Sequence, residues 1–453
     1  MESGSKAGLQ CLKFATFLEV YMSVSPLTAS PLLPVPALAP HRYLSDKIKA
    51  VLRRVFGFLL RVLLFQVGER NRKGAGCVIR THHHLTCDPN PPLNLERLKQ
   101  SQAYFEAICG QEIAHTVQAS DGLAEVHLLH LRSSVFWANV ENMGGRRCDY
   151  EVKNSANETV CTEVIACGDN AELIVLLKKF FFEIQIKTIE GKELSVALLP
   201  KRPLLPAGET LVVDVCHSPG RSMLMERRIA GLHIAWCDVC LWDPRGTIDS
   251  TGTPSEGGYY LDAEAVYQHL AQSYRPDQIY LLGYCGGAAT AAYVKKLHHA
   301  DGVHFIAQNP FHNLKAALEK FPKPFSSLGI MSIDAIKSKD EATRALVVED
   351  GFDIVEKFKG LTASKGKFVI IHTDTDKMMP KEAVPEILKI AKATGSYVIP
   401  ILRIHPDRKA NGHMQPPVED PKVWEQYITI FIGEHATGDL CQTTNLASEE
   451  FSE

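Results

Sequence analysis

The sequence predicts an α/β protein with a mainly parallel sheet and helices on both of its faces. From residue 180 onward, short apolar segments of strand length alternate with longer segments of helical character. In addition, the apolar segment 279–282 passes through a glycine-rich turn directly into an alanine-rich helical stretch at 288–294. Parallel strands need helical crossovers of this kind. The predicted strands of this region are 210–216, 234–242, 279–282, 303–308, 367–372 and 397–404.

The turn after segment 279–282 carries the sequence Gly283-Tyr-Cys285-Gly-Gly287, a nucleophile-elbow pattern with cysteine in place of serine. Glycines are needed there because a strand that turns straight into a helix brings the two backbones close together. The apex residue, Cys285, is expected to be strained and to lie over the helix N-terminus, where the helix dipole lowers a thiol pKa. On this motif alone, a buried cysteine in a glycine-rich turn is an equal alternative.

Acid and base candidates follow the elbow in the order that acyl transfer by a nucleophile, a base and an orienting acid requires. Asp376 comes after the predicted strand 367–372 and shortly before a Met-Pro turn, with Asp374 as an alternative acid. His413 follows Gly412 and precedes the last predicted helix, with His405 as an alternative base. The alternative roles are a helix cap for the acid and an ordinary loop histidine for the base.

This order of motifs, together with an Asp-Pro-Arg-Gly turn at 243–246, resembles the α/β-hydrolase superfamily over residues 183–433. The cysteine elbow and the Gly-Thr-Pro-Ser-Glu run at 252–256 are similar to the chlamydial 43 kDa CHLPS family of hydrolase-like proteins. The resemblance implies an α/β-hydrolase fold with a cap inserted at about 310–366. The site residues it implies are Cys285 as nucleophile, His413 as base, Asp376 as acid, and the backbone N–H groups of Gly286 and Ser218 as oxyanion donors.

The chain departs from the superfamily pattern in two further places. The oxyanion loop reads His217-Ser218-Pro219-Gly220 instead of His-Gly-x-Gly, and proline has no N–H to donate. The later glycine of the Asp-x-Arg-Gly turn is replaced by Ile248. With cysteine as the nucleophile, two functions are expected. The first is hydrolysis of a small ester, lactone or thioester, and the second is a catalytically silent fold retained for binding.

The sequence predicts no cofactor and no metal. Cys237 and Cys240 fall in one predicted strand, whose alternation would place the two thiols on opposite faces, and no second cysteine pair has metal-ligand spacing. Three adjacent histidines at 82–84 favour a surface loop. No phosphate-binding glycine loop follows a strand, and no basic segment is interleaved with stacking residues, so nucleotide and nucleic-acid binding are not expected.

Composition fits a globular protein, with 45% hydrophobic and 22% charged residues. The twelve scattered cysteines indicate a reducing compartment. The net charge is −3, yet residues 1–110 contain 14 Lys and Arg against 7 Asp and Glu. Within this basic part, a predicted amphipathic helix at 45–68 is too short in its apolar run to span a bilayer. This helix is consistent with two roles. It could contact a membrane peripherally through residues 42–73, or it could pack on the protein's own surface.

With no clear signal peptide or spanning helix, the expected location is cytoplasmic or peripheral to a membrane. The expected partner is a small-molecule acyl substrate, and the sequence does not indicate an oligomeric state. The predicted organisation is a linker-like segment at 1–44, the basic helix at 45–68, an unassigned region at 69–179, the hydrolase-like domain at 180–433 and a tail at 434–453.

Overall fold

A computed structural model describes most of the chain from residue 95 to residue 431. The described residues are 95–153, 159–180, 182–206, 208–216, 223, 226–319, 351–376, 379, 381–404, 412–414 and 421–431. The predicted linker, basic helix, histidine run and C-terminal tail therefore lie outside the described residues. The same holds for Ser218, His405 and the middle of the predicted cap.

The described residues form twelve strands and ten α-helices. The strands are β1 (Ala114–Gln118), β2 (Glu125–Leu131), β3 (Arg146–Lys153), β4 (Thr159–Gly168), β5 (Glu183–Ile189), β6 (Lys192–Leu199), β7 (Val212–Cys216), β8 (Asp238–Trp242), β9 (Ile279–Tyr284), β10 (His304–Gln308), β11 (Lys367–Thr373) and β12 (Tyr397–Arg403). The helices are α1 (Leu95–Cys109), α2 (Ser133–Asn142), α3 (Ala171–Lys179), α4 (Arg227–His233), α5 (Glu256–Leu270), α6 (Gly287–Leu297), α7 (Leu314–Glu319), α8 (Ile354–Phe358), α9 (Ala383–Ala393) and α10 (Pro421–Thr429).

Eight strands form the central sheet in the order β1-β2-β8-β7-β9-β10-β11-β12. Strand β2 is antiparallel to both of its neighbours, and all other adjacent pairs are parallel. Numbered within this sheet alone, the order is 1-2-4-3-5-6-7-8 with an antiparallel second strand, which is the arrangement of the α/β-hydrolase fold. The predicted fold class is confirmed.

Helices cover both faces of this sheet. One hydrophobic core lies between the sheet and α5, α6, α7, α8 and α9, and the other between the sheet and α1, α2, α3, α4 and α10. Strands β7 to β11 are buried along their whole length, as expected for parallel strands covered on both faces. This burial fixes the carboxyl ends of neighbouring strands relative to one another.

The N-terminal part of the described chain contributes to the central sheet as well. Strands β1 and β2 lie in the region 69–179 that the sequence leaves unassigned, so the sheet extends N-terminal to the predicted boundary at residue 180. Strands β5 and β6 form an antiparallel hairpin that belongs to a separate antiparallel sheet of order β3-β4-β6-β5.

The strand predicted at 234–242 is shorter than expected. Residues 234–237 form a turn after α4, and β8 begins at Asp238. Cys237 packs in the core on one face of the sheet and Cys240 in the core on the other face. The two thiols are therefore separated by the sheet, although only Cys240 lies in the strand.

The chain between β10 and β11 contains the predicted cap insertion at 310–366. The N–H of Leu314 donates to the carbonyl of Gly351 at 2.6 Å, and the N–H of Ile354 donates to the carbonyl of His312 at 3.0 Å. Glu256, buried on α5, accepts from the N–H groups of Gly351 and Phe352. The two ends of the insertion are thus joined to each other and fastened to the domain, while residues 320–350 lie outside the description.

Within these described ranges, no helix is both long enough and apolar enough to cross a bilayer.

Candidate active site

Cys285 stands at the junction of β9 and α6 with a φ of +52°, in the left-handed region that non-glycine residues rarely adopt. The close approach of the two elements explains Gly283, because a Cβ there would lie 2.4 Å from the Cα of Ala288. Every residue from Ile279 to Ala292 is buried except Cys285, which is half-buried. The strained turn therefore brings one thiol out of an otherwise buried segment.

Backbone hydrogen bonds hold the elbow on both sides. The N–H of Cys285 donates to the carbonyl of Gln308 at 3.0 Å, and its carbonyl accepts from the N–H of Ala288 at 3.1 Å. Gly286 is the N-cap residue of α6, so the positive end of the helix dipole lies next to the thiol. The predicted second oxyanion donor, Ser218, lies outside the described residues.

His413 lies against Asp376 at the carboxyl end of the sheet. Its Nδ1 is 2.7 Å from Oδ2 of Asp376, and both side chains are buried. The second carboxylate oxygen of Asp376 accepts from the N–H of Met379 at 2.9 Å, which fixes the carboxylate. Asp374 directs its own N–H to the carbonyl of Arg403 instead. The structure therefore pairs His413 with Asp376, whereas His405 lies outside the described residues.

The electrostatic environment of His413 favours its charged form. Burial lowers the pKa of His413, but the negative charges of Cys285 and Asp376 and its hydrogen bonds to both side chains raise the pKa to about 10. The three predicted side chains are therefore brought together as a thiol, an imidazole and a carboxylate. Such a set can hold a thiolate–imidazolium pair.

The turn that carries His413 is packed tightly against β11. A Cβ at Gly412 would lie 2.2 Å from Cγ2 of Thr373, so glycine is the residue that fits. The carbonyl of His413 accepts hydrogen bonds from the amide of Asn309 and from the hydroxyl of Tyr284. Sequence reasoning did not identify Asn309 or Tyr284. Only their positions in the sequence could have pointed to them. Asn309 directly follows the predicted strand 303–308, and Tyr284 lies within the elbow motif.

The Asp-Pro-Arg-Gly turn has a structural role beside the site. Arg245 is buried and forms ion pairs with Asp262 on α5 at 2.8 Å and with Asp121 in the β1–β2 turn at 2.7 Å. Ile248, which replaces the glycine of the superfamily pattern, has a φ of +45°. The chain thus keeps the left-handed conformation at this position without the residue that adopts it most easily.

No protein-family model matches the chain, and no curated protein sequence matches it. Among solved structures, an α/β hydrolase from Vibrio vulnificus is similar at 19% identity, covering 48% of this chain and 73% of that one, with a TM-score of 0.38. The esterase Pf2001 from Pyrococcus furiosus is similar at 14% identity, covering 64% and 91%, with a TM-score of 0.36. An esterase/lipase from an uncultured bacterium is similar at 14% identity, covering 60% and 86%, with a TM-score of 0.34.

The eight-stranded sheet, the turn after β9 and the late carboxylate–histidine pair define an α/β-hydrolase fold. Among the described residues, no group of three or more His, Cys, Asp or Glu side chains has the geometry of a metal site.

Proposed function

We propose that this protein is an acyl hydrolase that uses Cys285, His413 and Asp376 as nucleophile, base and orienting acid on a small ester, lactone or thioester. The observation that carries the proposal is that His413 hydrogen-bonds to both Cys285 and Asp376. A buried histidine with an acid on one side and an elbow cysteine on the other is the arrangement that covalent acyl transfer needs.

In the first half of the reaction, the Cys285 thiolate attacks the carbonyl carbon of the substrate and forms a tetrahedral oxyanion. The N–H of Gly286 at the start of α6 supports the proposal as one donor to this oxyanion. As the carbon–oxygen or carbon–sulfur bond to the leaving group breaks, the His413 imidazolium gives its proton to that group. The product is an acyl-enzyme in which the acyl group is joined to Cys285 as a thioester, with a neutral His413.

In the second half, neutral His413 takes a proton from water while the water oxygen attacks the carbonyl carbon of the Cys285 thioester. Collapse of the second tetrahedral intermediate releases the carboxylic acid and restores the thiolate–imidazolium pair. Asp376 stabilises the imidazolium and keeps the ring oriented throughout. A thiolate is a good nucleophile towards activated acyl groups, which favours thioesters, lactones and reactive esters over amides.

The insertion at 310–366 is proposed as the cap that covers the acyl pocket. The support for this proposal is that the two described ends are joined to each other and held to Glu256 on α5. Kinship with the chlamydial 43 kDa family is proposed on the cysteine elbow and the run 252–256.

The test is the pH dependence of iodoacetamide labelling at Cys285, read by mass spectrometry. The proposal expects a thiol pKa below the free value of about 8.5 and a rise towards that value in His413→Ala. The other described cysteines provide internal controls in the same sample. An ordinary titration of Cys285 that His413→Ala does not move would reject catalysis.

A catalytically silent protein that binds partners or membranes is the second candidate. The observation in its favour is Pro219, which removes an N–H from the predicted oxyanion loop. A shifted thiol pKa without any acyl-enzyme formation from p-nitrophenyl esters or acyl thioesters would support this second reading.

A further inference from the structure

The backbone carbonyl of His413 is held by two side chains, one at the end of β9 and one directly after β10. The amide nitrogen of Asn309 donates to it at 2.7 Å, and the hydroxyl of Tyr284 donates to the same oxygen. His413 itself sits in a short 3₁₀ turn, Gly412–Met414. A turn of this length has little internal hydrogen bonding, so external donors decide where it lies.

Asn309 joins this turn to two strands of the sheet. It follows β10, its own N–H donates to the carbonyl of Ile371, and its side-chain oxygen accepts from the N–H of Thr373 at 2.8 Å. Both of those residues lie in β11, the strand that leads to Asp376. One asparagine therefore fixes the distance between the strand carrying the acid and the turn carrying the base.

The backbone of Asn309 is strained in a way that suits this residue type. Its φ is +46°, and the residue is fully buried. Asparagine tolerates the left-handed region better than other non-glycine residues, and such conformations persist where the surrounding structure enforces them. The amide gains three hydrogen bonds from this conformation, to Thr373, Gly412 and His413.

Tyr284 makes the corresponding connection to the nucleophile. It is the last residue of β9 and directly precedes Cys285, so its hydroxyl ties the elbow to the turn of His413. Its ring also meets the His413 ring edge to face, with centroids 5.8 Å apart. The base is thus held by one residue next to the nucleophile and by another next to the acid's strand.

We infer that Tyr284 and Asn309 are positioning residues that hold His413 between Asp376 and Cys285. This inference rests on the proposed function. Catalytic groups must be held within about 0.5 Å of their working geometry, and a misplacement of about 1 Å costs about a hundredfold in rate. Loss of either donor leaves the turn attached at one fewer point and weakens the contact between His413 and the thiolate.

The experiment uses Tyr284→Phe and Asn309→Gly in the full chain. Phenylalanine removes only the hydroxyl, and glycine removes the amide while keeping the left-handed backbone without strain. Each variant is expected to raise the Cys285 pKa by about one unit, which lowers iodoacetamide labelling about tenfold at a pH below that pKa. Tyr280→Phe is the matched control, because Tyr280 lies on the same strand and donates to the carbonyl of Ile430 at 3.3 Å.

Urea unfolding of each variant separates positioning from stability. Tyr280→Phe should change stability without moving the Cys285 titration, whereas the two test variants should move the titration while still folded. If wild-type Cys285 titrates normally, the proposed function itself fails. If the wild-type pKa is low and depends on His413, but Tyr284→Phe and Asn309→Gly leave it unchanged, the positioning role alone is overturned.

Discussion

Nδ1 of His413 lies 2.7 Å from Oδ2 of Asp376, and the two side chains are buried together at the carboxyl end of the sheet. Asp374 stands two residues earlier in the same turn but is joined through its backbone to Arg403. The sequence pattern allows either carboxylate to be the partner of His413, whereas in the structure it is Asp376 that makes the 2.7 Å contact with the His413 ring. This difference leads to a direct comparison of two matched variants.

Asp376→Asn should lower ester or thioester turnover by about 10²–10⁴-fold, because an amide cannot stabilise the His413 imidazolium. The asparagine oxygen can still accept from the N–H of Met379, so the turn should be retained. Asp374→Asn is the matched control and should change turnover by no more than a few-fold. Steady-state rates with a p-nitrophenyl ester and an acyl thioester provide the measurement. Equal losses in both variants would remove Asp376 from its assigned role.

The charge on His413 should make folding stability depend on pH. Its folded pKa of about 10 lies above the ordinary value of 6.5, so the folded state keeps a proton that the unfolded state gives up. The stabilisation is fully present below pH 6.5 and is lost as the pH rises to about 10. The proposed Cys285 thiolate has lost a proton that the unfolded thiol keeps up to about pH 8.5, and this offsets the His413 proton below that pH. The free energy of unfolding, measured by urea titration, should therefore converge between wild type and His413→Gln from about pH 8.5 to about 10. A difference that stays constant with pH would contradict the raised pKa.

The three candidate site residues that the structure brings together could be singled out from the sequence because each lies in a local motif. Cys285 is marked by flanking glycines, Asp376 by the strand before it, and His413 by Gly412 and the helix after it. The strands after residue 200 were also predictable, because buried parallel strands form continuous apolar runs. The choice between Asp374 and Asp376 was not decided by the sequence, since it depends on which carboxylate reaches a residue 37 positions away.

The features that the sequence did not reveal depend on contacts between distant segments. Asn309 reads as an ordinary residue after a strand, and only the neighbourhood of β10 and β11 places its amide against His413. Strands β1 and β2 join the central sheet through pairing of β2 with β8, more than a hundred residues later. Local periodicity predicts where strands and helices lie. It does not show which strands pair or which distant side chains come into contact.

Ile248 allows a test of backbone strain. A non-glycine residue in the left-handed region costs about 1–2 kcal/mol, whereas glycine adopts it freely. Ile248→Ala loses side-chain packing and keeps the strain, while Ile248→Gly loses the packing and relieves the strain. The glycine variant should therefore be more stable than the alanine variant by about 1 kcal/mol.

The matched control for this test is Ile229, which packs against the same core from the regular helix α4. There the order should reverse, with Ile229→Gly less stable than Ile229→Ala by about 0.5–1 kcal/mol. Urea unfolding of the four variants gives both differences. The same order at both positions would show that Ile248 does not carry the strain that its φ of +45° indicates.

The cap insertion can be shortened without opening the domain, because its ends already meet. Leu314 and Gly351 are hydrogen-bonded through their backbones, and Phe352 is held by Glu256. A glycine–serine linker in place of residues 320–350 has to span little more than the length of α7, about 9 Å. Long loops also contribute little to stability through closure. We expect the shortened protein to fold and to keep the wild-type titration of Cys285.

Shortening should change which substrates are accepted. With the cap reduced, thioesters with bulky acyl groups should gain turnover relative to acetyl thioesters, since less of the pocket is covered. Rates are compared across acyl groups of increasing size for wild type and the shortened protein, with urea unfolding and Cys285 labelling as controls for folding and for the site. A folded protein with an intact Cys285 titration and the wild-type order of acyl preferences would show that 320–350 does not limit substrate size.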